Sequence, residues 1–270
     1  MNRVYLDYNA SAPLREEARE AMVHAMALAG NPSSVHAEGR QARAIVETAR
    51  QQVAAALGAQ GADVIFTSGA TEAAGLALTG RGIRCADIEH EAVSSWCQSD
   101  LSCGLDGGVA CQAPGATALQ LANSETGILQ QLPDGLALCD MTQAFGKLPV
   151  AFHWSGATMA LVSAHKIGGP KGVGALIVKR GTEVAAQIKG GGQEMGRRSG
   201  TENVIGIAGF GAAAEAAQRD LADGVWEQVE KLRNILEKAV AQSASETIFV
   251  GQGGRRLPNT SYMISEGWRG

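Results

Sequence analysis

The sequence is organised around one stretch, Ser163-Ala-His-Lys-Ile-Gly-Gly-Pro-Lys-Gly-Val-Gly174, which follows the mostly apolar run Ala157–Val162. The run predicts a buried strand, and the glycines after it are too frequent for a helix or a regular strand. A lysine at the end of a buried strand loses hydration, which lowers the pKa of its amine and makes it a better nucleophile. Lys166 is therefore a candidate for a Schiff base with an aldehyde. In isolation, the same pattern is better explained as a solvated lysine in a surface turn.

A second predicted strand ends in an acid. The short apolar run Leu136–Cys139 is followed by Asp140, and Gln143 comes three residues later. Burying a carboxylate is costly unless it meets a positive charge or several donors. The protonated ring nitrogen of pyridoxal phosphate is such a partner, and a lysine Schiff base with an acid at that nitrogen is a recognised cofactor pattern. Taken alone, Asp140 is better explained as a helix N-cap after a strand.

A third predicted strand ends in small residues. The β-branched run Asp63–Thr67 leads into Ser68-Gly-Ala-Thr71, which a helix-compatible stretch to Leu78 follows. Small residues at a helix start let backbone N–H groups approach a phosphate, and the helix dipole adds to the attraction. A single turn of this kind is weak evidence. Three strand ends that carry a phosphate cradle, an acid and a lysine in this order are far more specific.

These motifs belong to a series that resembles the cysteine desulfurases, which are class V, fold-type-I enzymes that use pyridoxal phosphate. The likeness extends from about Tyr5 to Tyr262, in the family's order. The series is Tyr5–Ser11, Gly30–His36, Thr67–Glu72, Ile88–His90, Asn123–Gly127, Asp140–Gln143, Ser163–Lys166 and Arg198–Thr201.

The resemblance implies an α/β fold of the fold-type-I transferases, with a mainly parallel central sheet flanked by helices. It also implies an incomplete small α+β domain at the C-terminal end. The expected division is an N-terminal segment over residues 1–14, a large cofactor-binding domain over 15–221, and the start of the small domain over 222–270.

The resemblance also assigns the site. Lys166 holds the cofactor and moves protons, and His90 stacks on the pyridine ring and takes part in proton transfer. From the residues alone, His90 is better explained as a helix cap or a partly buried imidazole. The other implied cofactor-binding residues are Asp140, Gln143, Gly69, Ala70, Thr71, Ser163, His165, Ser124 and Thr201, and no metal ligand is expected.

Thr201 is expected to act across a subunit contact. In the resembled homodimers its loop reaches the neighbouring subunit and the threonine touches the cofactor phosphate. Each active site would then be built from two chains, and a monomer would be inactive. As an isolated pattern, the turn Arg197–Thr201 is better explained as an ordinary solvated loop.

The chain departs from the family pattern in three places. Ser124 stands where desulfurases usually have a second asparagine, which puts substrate affinity or cofactor electronics in doubt. The connection Gly127–Leu136 is short for a crossover that normally contains a helix, so we expect thinned cover on one sheet face. An exposed apolar patch that a partner subunit covers is one solution. The mobile loop with the nucleophilic cysteine, and the arginine that holds the substrate carboxylate, have no counterpart in the sequence.

None of the five cysteines lies in a loop like that of the family nucleophile. They occupy positions 85, 97, 103, 111 and 139, without a CxxC pair or metal-ligand spacing. Cys139 is nearest the expected cofactor, but a cysteine in a buried strand is expected to be inert core. An odd count without a recognisable leader favours reduced thiols and a cytoplasmic protein.

Composition fits a large globular core. The chain has 270 residues, 45% of them hydrophobic, and a formal net charge of −4. This charge gives no reason to expect nucleic acid or an anionic membrane as a partner. No apolar run approaches the length of a membrane-spanning helix.

The full family converts L-cysteine to L-alanine and passes the sulfur as a persulfide to iron–sulfur cluster or thiolation pathways. The resemblance therefore implies L-cysteine as substrate and a sulfur acceptor or an iron–sulfur scaffold protein as partner. Two alternatives stay open: a non-catalytic cofactor-binding scaffold, and another class V lyase or aminotransferase. The motifs are the desulfurase set rather than a general one, which disfavours the last.

Overall fold

A seven-stranded mixed sheet forms the centre of the computed structural model, which describes residues 3–267. The strand order is β1-β7-β6-β5-β4-β2-β3. Strand β7 is antiparallel to both of its neighbours, and the other neighbouring pairs are parallel. The mainly parallel α/β sheet is thus confirmed. The strands are β1 (Asp63–Thr67), β2 (Arg84–Ala86), β3 (Gln98–Leu101), β4 (Thr117–Gln120), β5 (Leu138–Asp140), β6 (Met159–Ser163) and β7 (Gly174–Val178).

Helices cover both faces of this sheet. Successive residues of β1 alternate between the faces, so Val64 and Phe66 join the core under α2 and α5, whereas Ile65 joins the core under α3. A Cβ on Gly211 of α5 would lie 2.6 Å from the Cα of Ala49 in α2, so these helices pack closely because that position is glycine. The helices are α1 (Glu16–Met26), α2 (Ala37–Ala56), α3 (Ala70–Leu78), α4 (Glu91–Ser94), α5 (Val204–Ala222) and α6 (Val225–Ser243).

The crossover from β4 to β5 contains no helix within the described residues, as its length predicts. The exposed apolar patch expected beside it is not found there. Ala118 and Leu119 of β4, and Leu138 and Cys139 of β5, are all at most 1% exposed. The sheet stays covered because Val93 of α4 and the alanines of α3 belong to the same apolar cluster as Ala118 and Leu138.

The segment Leu257–Ile264, which resembles the first strand of the family's small domain, is for the most part not a strand. Only Met263–Ile264 (β9) is extended in a ladder, and it pairs antiparallel with Ile248–Phe249 (β8). The residues before β9 make other contacts: the Leu257 N–H donates to the Gly127 oxygen at 2.8 Å, and the Leu257 oxygen accepts from Arg233 at 2.7 Å. Pro258 has no N–H to give to a ladder.

The segment Val4–Asp7 is assigned to no strand and is exposed to solvent. No helix among residues 3–267 is both long enough and apolar enough to cross a membrane.

Candidate active site

Three strand ends meet at one cavity. Strands β1, β5 and β6 run in the same direction, so their carboxyl ends lie at one edge of the sheet. The cavity there has a volume of about 900 Å³. The residues that line it include Asp7, Asn9, Ala10, Ser11, Ser68, Gly69, Ala70, Thr71, His90, Gln120, Ser124, Glu125, Asp140, Thr142, Gln143, Ser163, His165, Lys166 and Lys171.

Lys166 lies in a single 3-10 turn directly after β6. Its Nζ donates hydrogen bonds to the backbone oxygens of Asn9 and Ala10, the second at 3.1 Å. Burial lowers the pKa of the Lys166 amine, although the charges of Asp140, Asp7 and Glu125 act in the opposite direction. The amine is therefore held at the cavity wall by neutral acceptors, and within residues 3–267 no carboxylate is in direct contact with it.

Asp140 is the last residue of β5 and lines the same cavity. Its Oδ1 accepts the Thr142 N–H at 2.8 Å. Burial raises the pKa of Asp140, while the Thr142 hydrogen bond and the positive charges of His90 and Lys166 oppose that shift. A protonated ring nitrogen in the cavity would give this carboxylate the charge partner that burial makes favourable.

His90 is both a helix cap and a cavity residue. It occupies the N-cap of α4, and its Nδ1 accepts the Ala92 N–H at 3.0 Å. In a neutral ring this contact places the proton on Nε2, a tautomer assigned from the hydrogen bond. The cap thereby fixes which nitrogen can donate.

The N-terminus of α3 forms the opposite part of the wall. Gly69 is its N-cap, and Ala70 and Thr71 are its first residues. A Cβ built on Gly69 meets only Ser163 Oγ, at 4.0 Å, so the backbone borders open space. Free N–H groups of a first helical turn suit an anion at such a place.

Glu72 lies in the same turn of α3, and its negative charge is compensated. Its carboxylate accepts from the Arg198 Nε at 2.7 Å and from the Ser68 N–H at 2.7 Å. Burial acts to raise the pKa of Glu72, but these contacts outweigh it and hold the pKa below its usual value.

His165 is a neutral cavity residue at ordinary pH. Burial, together with the charges of Lys166 and Lys171, lowers its pKa to about 4. Its Nδ1 lies 3.3 Å from the Ser11 hydroxyl of the N-terminal segment. It can therefore orient groups here without adding a positive charge.

Gln143 is held at both ends of its amide. Nε2 donates to the Asn9 backbone oxygen at 2.9 Å, and Oε1 accepts from Lys147 Nζ at 2.8 Å. Asn9 also donates through Nδ2 to the Ser124 oxygen at 3.3 Å and to Thr260 Oγ1 at 2.9 Å. The sequence motifs did not assign Asn9 or Lys147 to the site. Asn9 lies in the motif Tyr5–Ser11, and the four-residue spacing of Gln143 and Lys147 is the signal that points to Lys147.

Ten of the eleven predicted site residues line this cavity. Thr201 does not. It lies in a smaller neighbouring cavity with Arg198, and the two cavities share Ser68 and Gly172.

The family model of the class V aminotransferases matches residues 4–104 and 114–263 of the chain. The cysteine desulfurase of Frankia sp. strain EuIK1 is 38% identical over 306 aligned positions, covering 95% of this chain and 73% of the relative. The chain belongs to the cysteine desulfurase family. A relative called cysteine desulfurase IscS, from Dictyoglomus turgidum, is 35% identical over 98% of this chain and 77% of its own length.

Solved structures agree with this assignment to the desulfurases. A NifS-like protein from Rickettsia africae superposes with a TM-score of 0.88 at 31% identity, over 96% of this chain and 81% of that chain. Another NifS-like protein gives a TM-score of 0.90 at 29% identity, over 100% of this chain and 84% of that chain. The 306-position alignment is longer than this 270-residue chain, so the Frankia desulfurase has segments inside the matched region that this chain lacks.

The cofactor of this desulfurase family is pyridoxal phosphate, and the cavity's donor set fits it. Lys166 is an amine with a lowered pKa for the aldehyde, Asp140 is a buried acid for the ring nitrogen, and the Gly69 end of α3 leaves room for a phosphate. Among residues 3–267 no group of three or more His, Cys, Asp or Glu side chains is arranged to hold a metal ion.

Proposed function

We propose that this member of the cysteine desulfurases binds pyridoxal phosphate in the cavity at the ends of β1, β5 and β6 and acts on L-cysteine there. The observation that carries this is the convergence of Lys166, Asp140 and the N-terminus of α3 on one cavity. These elements lie far apart in sequence, and each supplies a different part of the cofactor's chemistry.

When bound, pyridoxal phosphate supplies an aldehyde that bonds covalently to an amine and a ring that withdraws electrons from the substrate carbon. Lys166 holds the cofactor and, when its amine is free, takes the proton from the substrate Cα. Asp140 keeps the ring nitrogen protonated. His90 offers its Nε2 proton over the cavity, since Nδ1 is occupied by the cap of α4. Gln143, Ser163, His165 and Ser124 orient the bound molecule, and Gly69, Ala70 and Thr71 receive its phosphate.

The sulfur-accepting thiol has no assigned residue in this chain. A second cavity of about 1020 Å³ adjoins the first at His90, Ser124 and Glu125, and Cys103 lines it. However, burial and the charges of Asp87 and Asp106 raise the pKa of Cys103, which disfavours the nucleophilic thiolate. Burial likewise raises the pKa of Cys139 well above its usual value. These two thiols are poor candidates for the nucleophile that accepts the sulfur.

We also propose a homodimer in which the Thr201 loop serves the partner's site. Thr201 is exposed and lies outside the cavity of its own chain, as a residue that reaches a second subunit would. A sulfur acceptor or an iron–sulfur scaffold protein is the proposed partner. All five cysteines are free thiols, which supports a reducing compartment such as the cytoplasm.

The proposed division into domains has a structural basis in the junction between α5 and α6. Gly224 interrupts the two helices with a left-handed backbone, at φ 70°. Beyond it, α6 makes its own buried contacts with the residues before β9: Arg256 and Glu237 form an ion pair at 2.6 Å. These contacts support residues 222–270 as the start of a separate domain. Residues 1, 2 and 268–270 of the proposed division lie outside the described part.

The test is to add pyridoxal phosphate to the purified protein, reduce it with borohydride, and locate the added mass by peptide analysis. We expect the label on Lys166 and none on Lys166→Ala. Lys147 and Lys171, which lie near Lys166, are internal controls, since label on either would contradict the assignment. In a separate sample that is not treated with borohydride, alanine and sulfide are measured after addition of L-cysteine and dithiothreitol, a thiol that reduces the transferred sulfur to sulfide. Labelling without either product would support the scaffold alternative.

A further inference from the structure

Lys147 is a deeply buried lysine behind the cavity, and it does not line the cavity itself. It is 2% exposed. Its Nζ donates to Gln143 Oε1 at 2.8 Å and lies 3.4 Å from Asn9 Oδ1. None of its contacts in the described part of the chain is an ion pair with a carboxylate. A buried amine is costly to keep, so its retention between two amide oxygens requires a reason.

The first consequence concerns the orientation of the Gln143 amide. The two ends of a free glutamine amide have similar shapes but opposite hydrogen-bonding characters. Below its pKa, which burial lowers to about 7, Lys147 is an ammonium that can only donate, so it accepts the oxygen end as a neighbour and rejects the nitrogen end. With Oε1 on Lys147, Nε2 takes the other side, where one N–H donates to the Asn9 oxygen at 2.9 Å. The second N–H of Nε2 is then the group that Gln143 offers to the cavity.

The second consequence concerns the N-terminal segment. Asn9 Oδ1, which faces Lys147, also accepts from Asn259 Nδ2 at 2.8 Å. The Asn9 backbone oxygen accepts from both Gln143 and Lys166. Lys147 therefore contacts the side chain of Asn9, and the backbone oxygen of the same residue accepts from Lys166, the candidate catalytic lysine.

We infer that Lys147 is a positioning residue that fixes the Gln143 amide so that an N–H group, and not its oxygen, faces an acceptor oxygen of the bound cofactor. This inference rests on the proposed function, because it takes pyridoxal phosphate as the cavity's ligand. The oxygen atoms of that ligand are hydrogen-bond acceptors when ionised, so a reversed amide would set oxygen against oxygen. Lys147 acts on the ligand only through Gln143.

The test uses Lys147→Met, which keeps most of the volume and removes the donor. In the cofactor-free protein, the Gln143 side-chain N–H signals of wild type should be protected from solvent exchange, and that protection should be lost in the variant. Affinity for pyridoxal phosphate should fall about tenfold, the size expected for one misdirected hydrogen bond. The absorption maximum of the bound cofactor should shift as well.

A double-mutant cycle separates positioning from general support. If Lys147 acts through Gln143, the double variant Lys147→Met with Gln143→Met should bind the cofactor no more weakly than Gln143→Met alone. Val53→Ala, in the core far from the cavity, should lower the melting temperature and leave cofactor affinity unchanged. Lys147→Leu removes the same donor with a smaller side chain and replaces Lys147→Met if the latter does not fold.

Four outcomes overturn the inference. Unchanged Gln143 amide signals in Lys147→Met would overturn it alone, whatever the cofactor does. Additive losses in the double variant, or a lowered melting temperature with unchanged affinity and spectrum, would make Lys147 merely structural. A wild-type protein that binds no pyridoxal phosphate would overturn the proposed function and this inference with it.

Discussion

The Lys166 amine lies 3.1 Å from the backbone oxygen of Ala10, a residue 156 positions earlier in the chain. The contact is reinforced nearby, where the Ala12 N–H donates to the His165 oxygen at 2.9 Å and the Arg15 N–H to the Gly168 oxygen at 2.8 Å. The N-terminal segment is therefore part of the wall around the candidate catalytic lysine. To reach a ligand, the amine must leave two carbonyl acceptors rather than a carboxylate, whose stronger attraction would hold it.

Burial of Lys147 predicts a stability that rises with pH above neutrality. Burial, with a smaller contribution from the nearby Lys166, lowers the pKa of Lys147 from 10.5 to about 7. The unfolded chain therefore binds the extra proton between about pH 7 and pH 10.5, so the folded state gains stability as the pH rises through that window. The full gain is on the order of 5 kcal/mol.

Lys147→Met should remove this gain. Urea unfolding at a series of pH values would give the free energy of unfolding of both proteins. The free energy of unfolding of the variant minus that of wild type should be most positive at pH 7. It should fall towards pH 10, where the wild type has gained its extra stability. A constant difference across the series would mean that Lys147 keeps an ordinary pKa in the folded state.

Asp140→Asn should keep the covalent attachment of pyridoxal phosphate and lose proton removal from the substrate. An amide has no charge to keep the ring nitrogen protonated, so electron withdrawal from the substrate Cα weakens. We expect a loss of at least about 100-fold in the exchange of the Cα proton of L-alanine with deuterated water, measured by NMR. Asp100→Asn, on the mostly exposed strand β3, is the matched control and should exchange as wild type does. If Asp140→Asn exchanged the Cα proton of L-alanine as fast as wild type, Asp140 would not have this role.

How far the sequence predicts the site depends on the range of the contacts involved. The strand ends that carry Thr67, Asp140 and Ser163 are predictable, because each follows a local apolar run. Strand β3 was missed since its residues Gln98–Leu101 are mostly exposed at the sheet edge and lack an apolar pattern. The bond between Lys147 and Asn9 joins residues 138 positions apart, and no local pattern marks such a pair.

In the C-terminal part, long-range contacts prevent a strand that the sequence suggests. Leu257–Ile264 resembles the first strand of the family's small domain, but tertiary contacts hold most of it outside a ladder. Arg233 takes the Leu257 oxygen, and the side chains of Asn259 and Thr260 bond to Asn9. Of this segment, only Met263–Ile264 pairs in a strand ladder.

Glu194→Gln should destabilise the protein by about 3 kcal/mol, the cost of leaving a buried charge without its partner. The Glu194 side chain is 2% exposed and pairs with Arg50 at 2.8 Å. It also accepts the Phe66 N–H of β1 at 3.0 Å, so it ties the loop that precedes Thr201 to the sheet. Chemical denaturation gives the change in free energy of unfolding, and limited proteolysis should show earlier cleavage near residues 190–203. Asp100→Asn again serves as control, because its pair with Arg84 is far more exposed and should cost less than about 1 kcal/mol.

Mixing two inactive variants tests whether Thr201 serves the partner's site. In Lys166→Ala the attachment point is lost, and in Thr201→Val the hydroxyl expected at the cofactor phosphate is lost. If the loop crosses between subunits, a mixed dimer has one site with neither change and one site with both. We therefore expect that mixing under subunit exchange restores tight cofactor binding to a fraction of sites, detected by borohydride labelling at low cofactor concentration. If Thr201 acts within its own chain, every site in the mixture carries one defect, and labelling should stay at the level of the separate variants.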